Sequence, residues 1–229
     1  MPDFPAFASH IGVAFQNPGL LVEAFTHRSY LNENKGFTGA HNERLEFLGD
    51  AVLELATTDF LFKKFPGKPE GELTAYRSAL VNTVSIAEVA QSLGVNAYLL
   101  LSKGESKDVG RARQIILANA FEAIVGAIYL DQGYAAAEAF IAKRLYAKID
   151  EVIESRAYQD AKSRFQEAAQ DKRGVTPSYE TMSEEGPDHD RLFTVGIFLG
   201  RVEIARGEGK SKQEAEQSAA QAGIDKMGW

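Results

Sequence analysis

Two largely apolar segments each carry oxygen-bearing side chains at helical spacing, and these are the groups in the sequence best suited to chemistry. The first runs His41-Asn42-Glu43-Arg44-Leu45-Glu46-Phe47-Leu48-Gly49-Asp50-Ala51-Val52-Leu53-Glu54-Leu55. At ~100° per residue, Glu46 and Asp50 lie one turn apart and Glu43 falls within about 20° of Asp50, so three acids share one stripe. Leu45, Phe47, Leu48, Ala51, Val52 and Leu53 leave that helix almost no polar face, so it is expected to pack inside a domain. The second segment, Ile115 to Leu130, is apolar nearly all round yet carries Asn119 and Glu122 at i, i+3, facing the same way. Desolvating a carboxylate is costly without a cation or hydrogen-bond partner, and neighbouring acids add repulsion. Carboxylate and amide oxygens without His or Cys suit Mg²⁺ or Mn²⁺, and Mg²⁺ is characteristically shared with substrate phosphates. Each cluster alone has a plainer reading. The first is then a partly exposed stripe paired with residues such as Arg44; in the second, Glu122 meets an Arg and Asn119 the backbone.

Two regimes must position these groups, and they meet near residue 156. From Pro18 onward the pattern is helical, opening on Asn17 as a cap with Pro18 at the first helical position. Further helices are expected near 42–63, 71–82, 84–93, 113–131 and 135–153, with a Gly- and charge-rich loop at 102–112. After Ser155 one helix near 160–172 precedes short strands around 178–183, 191–199 and 201–207, with a tight hairpin at Leu199-Gly200-Arg201 and a last helix from Ser211. The expected architecture is an all-α domain, residues 1–155, followed by a small α+β domain of order α-β-β-β-α, residues 156–229.

Composition narrows the function classes. The 229 residues are 45% hydrophobic and 25% charged, ordinary globular values. With no cysteine, disulfide frameworks, Cys-ligated zinc and thiol nucleophiles are excluded. The opening stretch carries Asp3, two prolines and no basic run, so it does not read as a secretory signal, and no apolar run approaches membrane-span length; a soluble, cytoplasmic protein without membrane contact is expected. A di-iron bundle would need Glu-x-x-His pairs, which are absent, and no Gly-rich loop has P-loop spacing, so no nucleotide cofactor is expected. The net charge of −7 sits poorly with nucleic acid at first sight. Neither half is basic: residues 1–155 hold 14 Lys and Arg against 19 Asp and Glu, and residues 156–229 hold 11 against 13. Local placement of cations therefore has to decide.

The run ERLEFLGDAVL within Asn42 to Leu53 resembles the signature motif of the bacterial ribonuclease III family. Ala24 to Tyr30 resembles that family's early helix, Glu70-Gly71-Glu72-Leu73 and Arg77 its middle helix, and Ala118 to Asp131 its second acidic helix. Residues 156–229 are similar to a double-stranded-RNA-binding domain, matching Gly186-Pro187-Asp188-His189, Phe193-Thr194-Val195 and Gly207 to Lys212. The resemblance implies a homodimeric, metal-dependent endonuclease that cuts double-stranded RNA, leaves 5′-phosphate and 3′-hydroxyl ends, and processes ribosomal, messenger and transfer RNA precursors. Carried over, Asp50 and Glu122 fall on catalytic positions; Glu46, Asn119, Glu122 and Asp50 on the Mg²⁺ site, with Mn²⁺ a possible substitute; and Glu43 and Glu70 on supporting acids. Where the family commonly has Asp, this chain has Asn119, which removes a negative charge although an amide oxygen can still ligate Mg²⁺. A double-stranded-RNA-binding protein with weak or lost cleavage is the alternative. Gln213 stands where a second Lys is often found.

Attack by external water is expected rather than by the RNA's own 2′-hydroxyl, since the four histidines offer no obvious pair for metal-free acid–base chemistry, and His27 and His41 are read as supporting groups. In the second domain Gln166 and the Pro187-Asp188-His189 loop are placed to meet minor grooves. Lys210 and Lys212 open the last helix, whose N–H groups and dipole also attract phosphate. Lys103, Lys107, Arg111 and Arg113 form a run open to two readings, phosphate contact or solvated loop.

Overall fold

A computed structural model describes residues 1–154, 160–187 and 191–229. The chain divides into two compact units, Met1–Tyr158 and Gln159–Trp229. The junction expected at 155/156 lies outside the described residues.

The first unit is helical: α1 (Phe4–Ile11), α2 (Pro18–Ala24), α3 (Arg28–Glu33), α4 (Glu43–Lys64), α5 (Glu70–Leu80), α6 (Thr83–Ser92), α7 (Gly110–Gln132), α8 (Tyr134–Leu145) and α9 (Ile149–Glu154). Helix α1 is not among the expected elements, although its signals are local: the Asp3 side chain accepts from the Ala6 N–H, Pro5 sits in the first turn, and Phe4, Phe7 and Ile11 are buried on one side. Asn17 caps α2 as expected, accepting from Gly19 N.

The stretch 24–30 is not one helix. Helix α2 stops at Ala24, and the backbone then runs beside Leu100, with Leu100 N donating to Phe25 O and His27 N to Leu100 O. His27 caps α3, its Nδ1 accepting from Ser29 N. The helix expected over 135–153 is also broken, ending at Leu145 before a 3₁₀ turn at Tyr146–Lys148, where Tyr146 stacks flat on Phe60 at 3.8 Å.

Helix α7 is the centre of the unit. Although long and apolar enough to cross a membrane by length and composition, it is covered by other helices: Ile116, Leu117, Phe121, Ile124, Val125 and Ile128 are all buried. Its main partner is α4. That helix buries Leu45, Val52, Leu53, Ala56 and Leu61 but leaves Phe47 82% exposed, Leu55 59% and Phe62 71%. The expectation that α4 is packed nearly all round is therefore corrected; one apolar stripe faces outward from this chain.

The second unit comprises α10 (Ala161–Arg173), β1 (Pro177–Glu185), β2 (Leu192–Leu199), β3 (Val202–Gly209) and α11 (Lys212–Met227), with an antiparallel sheet in the order β1-β2-β3. Val195 and Ile197 point from β2 into a core with Phe165, Ile204, Ala215, Ala219 and Ile224, while Thr194, Gly196 and Phe198 lie on the other face. Gly200 takes φ +61° between β2 and β3, a conformation that favours glycine.

Candidate active site and RNA-binding surface

The two acidic segments meet where α4 crosses α7. Gly49 and Gly126 bring the backbones into direct contact: a Cβ built on Gly49 would lie 1.7 Å from the Glu122 carbonyl oxygen, and one on Gly126 would lie 2.3 Å from that of Leu45. Glu46, Asp50, Asn119 and Glu122 cluster around this crossing. Glu43 and Asp50 are exposed, whereas Glu46, Asn119 and Glu122 are half-buried.

The start of α4 is held by a residue whose role the sequence did not reveal. Asn42 is 3% exposed; its Nδ2 donates to Ala24 O and its backbone N to Thr26 O, tying the acidic turn to the end of α2. Glu43 and Glu46 lie in that first turn, where the helix dipole favours negative charge. Glu43 lies 3.5 Å from the Arg28 guanidinium and 3.8 Å from His41 Nδ1.

Burial pushes the Glu122 carboxyl up to about 8, helped by the charges of Asp50 and Glu46. Burial likewise raises Glu46, with Glu43 and Asp50 adding to the effect and a hydrogen bond from Asn119 opposing it. These groups thus sense one another directly, and no cation is among the causes that set their shifts. Among the described residues no three His, Asp or Glu side chains converge at ligand spacing as they stand. In donor chemistry the cluster fits a hard divalent cation: it is all oxygen, and positive charge would relieve the strain that lifts Glu46 and Glu122.

Glu70 does not join this cluster within the chain. It opens α5 and lines a cleft of about 380 Å³ with Thr58, Phe62 and Arg77, roughly two turns farther along α4 than Asp50. Arg77 is engaged there, 2.9 Å from both Glu54 and Thr58. His27 is a helix cap whose Nδ1 also lies 2.8 Å from Ser29 Oγ, and burial lowers its pKa.

The basic run divides. Arg113 turns inward, donating to the carbonyls of Glu105, Ser106 and Asp108 at 2.8–3.1 Å, so it holds the loop and does not offer charge to a ligand. Lys103, Lys107 and Arg111 are exposed.

In the second unit Gln166 is exposed on α10 and Pro187 follows the end of β1, whereas Asp188 and His189 lie outside the described residues. Ser211 caps α11, accepting from Glu214 N at 3.2 Å, and the Glu214 carboxylate accepts from Lys210 N at 2.9 Å. One N–H of the first turn, that of Glu214, is thus taken by the cap, and the Glu214 carboxylate sits on the backbone N–H of Lys210 just before the helix. Lys212 Nζ stands 5.8 Å above the Phe193 ring, a contact that presets its direction.

The Ribonuclease-III-like family matches residues 17–149, and the double-stranded RNA binding motif matches residues 161–227. The chain belongs to the ribonuclease III family. Ribonuclease 3 of Protochlamydia amoebophila is 44% identical over 223 residues, covering 97% of this chain and 91% of that protein. Ribonuclease 3 of Geobacillus kaustophilus is 44% identical over 98% of this chain and 91% of its own length. Among solved structures, a ribonuclease III nuclease domain from Campylobacter jejuni, described as flexible in a region involved in dimer formation, is 38% identical. It covers 62% of this chain and 98% of its own, with a TM-score of 0.56. The family match spans the α4–α7 crossing, so the acids gathered there lie within the family's nuclease domain.

Proposed function

We propose that this ribonuclease III family member is a Mg²⁺-dependent endonuclease that hydrolyses phosphodiester bonds within double-stranded RNA, leaving 5′-phosphate and 3′-hydroxyl ends. The observation that carries the metal dependence is the Glu46, Asp50, Asn119 and Glu122 cluster at the glycine crossing, with Glu122 pushed up to about 8. Glu46, Asp50 and Glu122 would hold the ion, with the Asn119 carbonyl oxygen as a neutral donor; Mn²⁺ offers the same ligand preference. When bound, the ion would lower the pKa of a ligated water and offset phosphate charge. Asp50, exposed beside the crossing, faces incoming RNA, and Glu122 must release its proton before it can serve as an anionic ligand. Glu43, held by Arg28 and His41, adds negative field at the mouth of the site.

Duplex recognition falls to the second unit. Gln166 and Pro187 address grooves, and Lys210 and Lys212 address phosphates. The exposed stripe of Phe47, Leu55 and Phe62 supports a homodimer, since so much large apolar surface on one helix is unusual unless a second molecule covers it. Ribosomal, messenger and transfer RNA precursors in the cytoplasm are the proposed substrates.

Cleavage of a perfect RNA duplex, with Mg²⁺ and with chelator, tests the reading. Wild type should cut only with metal, into fragments whose 5′ ends ligate without prior phosphorylation, while Asp50→Asn and Glu122→Gln should bind but not cut. Wild type that binds yet never cuts, while Asn119→Asp does, would instead leave a binding protein. Glu122→Gln cutting at the wild-type rate would overturn the site.

A further inference from the structure

We infer that Gly49 and Gly126 are positioning residues of the acid site, setting the helix separation at which Glu46 and Asp50 meet Glu122. This inference rests on the metal-site reading above. Neither glycine is needed for backbone conformation, since both lie inside long α-helices and neither has positive φ. There a glycine is unfavourable by ~1 kcal/mol relative to alanine. Helix propensity alone would therefore favour alanine at both positions.

What the glycines provide is proximity. A Cβ on Gly49 would meet the Glu122 carbonyl oxygen at 1.7 Å and the Gly126 nitrogen at 2.8 Å; one on Gly126 would meet the Leu45 carbonyl oxygen at 2.3 Å and the Gly49 nitrogen at 3.2 Å. Every one of these obstacles is backbone, so no side chain can swing aside. Relief to an ordinary contact would need the helices to separate or tilt by about 1.7 Å at Gly49 and about 1.1 Å at Gly126. The contact lies inside the site: Gly49 precedes Asp50, rests on the carbonyl of Glu122, and sits one turn from Leu45, which precedes Glu46. Displacements of ~1 Å at a reacting centre can cost ~100-fold in rate.

Mn²⁺ binding to the metal-free full chain, followed by the electron paramagnetic resonance of free Mn²⁺, gives a readout independent of turnover. Far-UV circular dichroism and duplex-RNA binding without metal are measured alongside. Gly67, where an added methyl would meet nothing within 4 Å, is the control position. Gly49→Ala and the milder Gly126→Ala should keep wild-type dichroism and bind RNA within about twofold, yet bind Mn²⁺ roughly tenfold more weakly. Cleavage should fall up to about 100-fold, mainly in kcat, with partial rescue at raised Mn²⁺ and more loss at Gly49 than at Gly126. Gly67→Ala should change none of these. Folded glycine variants that bind Mn²⁺ like wild type would overturn the inference, as would unfolding of both, which would make the crossing a stability element. If wild type and Glu122→Gln bind Mn²⁺ equally, the metal-site reading itself fails.

Discussion

Replacing Glu122 by Gln in the metal-free protein should flatten the pH dependence of its stability. In the native state burial, then Asp50, then Glu46 push this carboxyl from 4.5 up to about 8. The folded protein therefore holds a proton that the unfolded chain has released anywhere between those values. With more protons bound in the native state, stability falls as pH rises through that window, by at most ~1.4 kcal/mol per pH unit. Below pH 4.5 both states are protonated and the penalty vanishes; above pH 8 it is complete. Allowing for the side of the carboxyl that still meets solvent, the total should be roughly 2–4 kcal/mol. Glu46, also raised, leaves the variant a smaller residual slope in the same direction. Urea unfolding with chelator between about pH 5.5 and 8.5 would measure this. Far-UV dichroism reports mainly the helical unit, whereas the single tryptophan, Trp229, packs at a tilt against Phe165 in the second unit and serves as an internal control. Wild type should lose stability relative to Glu122→Gln across that range in the dichroism transition alone. At about pH 8.5, Mg²⁺ at about 100 times its dissociation constant should restore ~2.7 kcal/mol to wild type and much less to the variant. Parallel curves, or a variant less stable than wild type at the alkaline end, would refute the reasoning.

Asn119→Asp adds a fourth carboxylate beside Glu46 and removes the hydrogen bond that opposes its rise. Its half-saturating Mg²⁺ concentration should drop several-fold while metal-free melting falls by a few degrees, read by Mg²⁺ titration of cleavage and by thermal dichroism. Arg113→Ala leaves the carbonyls of Glu105, Ser106 and Asp108 without their shared donor. The loop should become the first site of limited proteolysis, with stability reduced by ~1–2 kcal/mol. Lys210→Ala with Lys212→Ala should weaken duplex binding and lower the slope of log affinity against log salt by about 2, measured by fluorescence anisotropy across a salt series. Phe47→Asp should give a monomer by sedimentation, since a charge on the exposed stripe cannot be desolvated cheaply in an interface.

Which side chains share a helix face can be read from the order of residues alone. Glu43, Glu46 and Asp50 align, and Asn119 and Glu122 align, because 3.6-residue periodicity is a property of the local backbone. The Asn17-Pro18 helix start and the hairpin at Gly200 were legible for the same reason: cap and turn chemistry act within a few residues. The start of α1 carried equally local signals in Asp3 and Pro5, so that helix too was within reach of the sequence. Long-range packing brings the two acid faces together, with Gly49 and Gly126 as the point of contact. The tertiary structure alone showed Asn42 as a buried strut, Arg113 turned inward onto carbonyls, and the Glu214 carboxylate on the Lys210 N–H beside the start of α11. It also left Phe47 in the open, though the pattern around it had suggested a core, and with it Leu55 and Phe62. Periodicity tells which residues lie on an apolar face but not what covers that face. That depends on which distant segments pack together, and here two glycines far apart in the chain allow one such close approach.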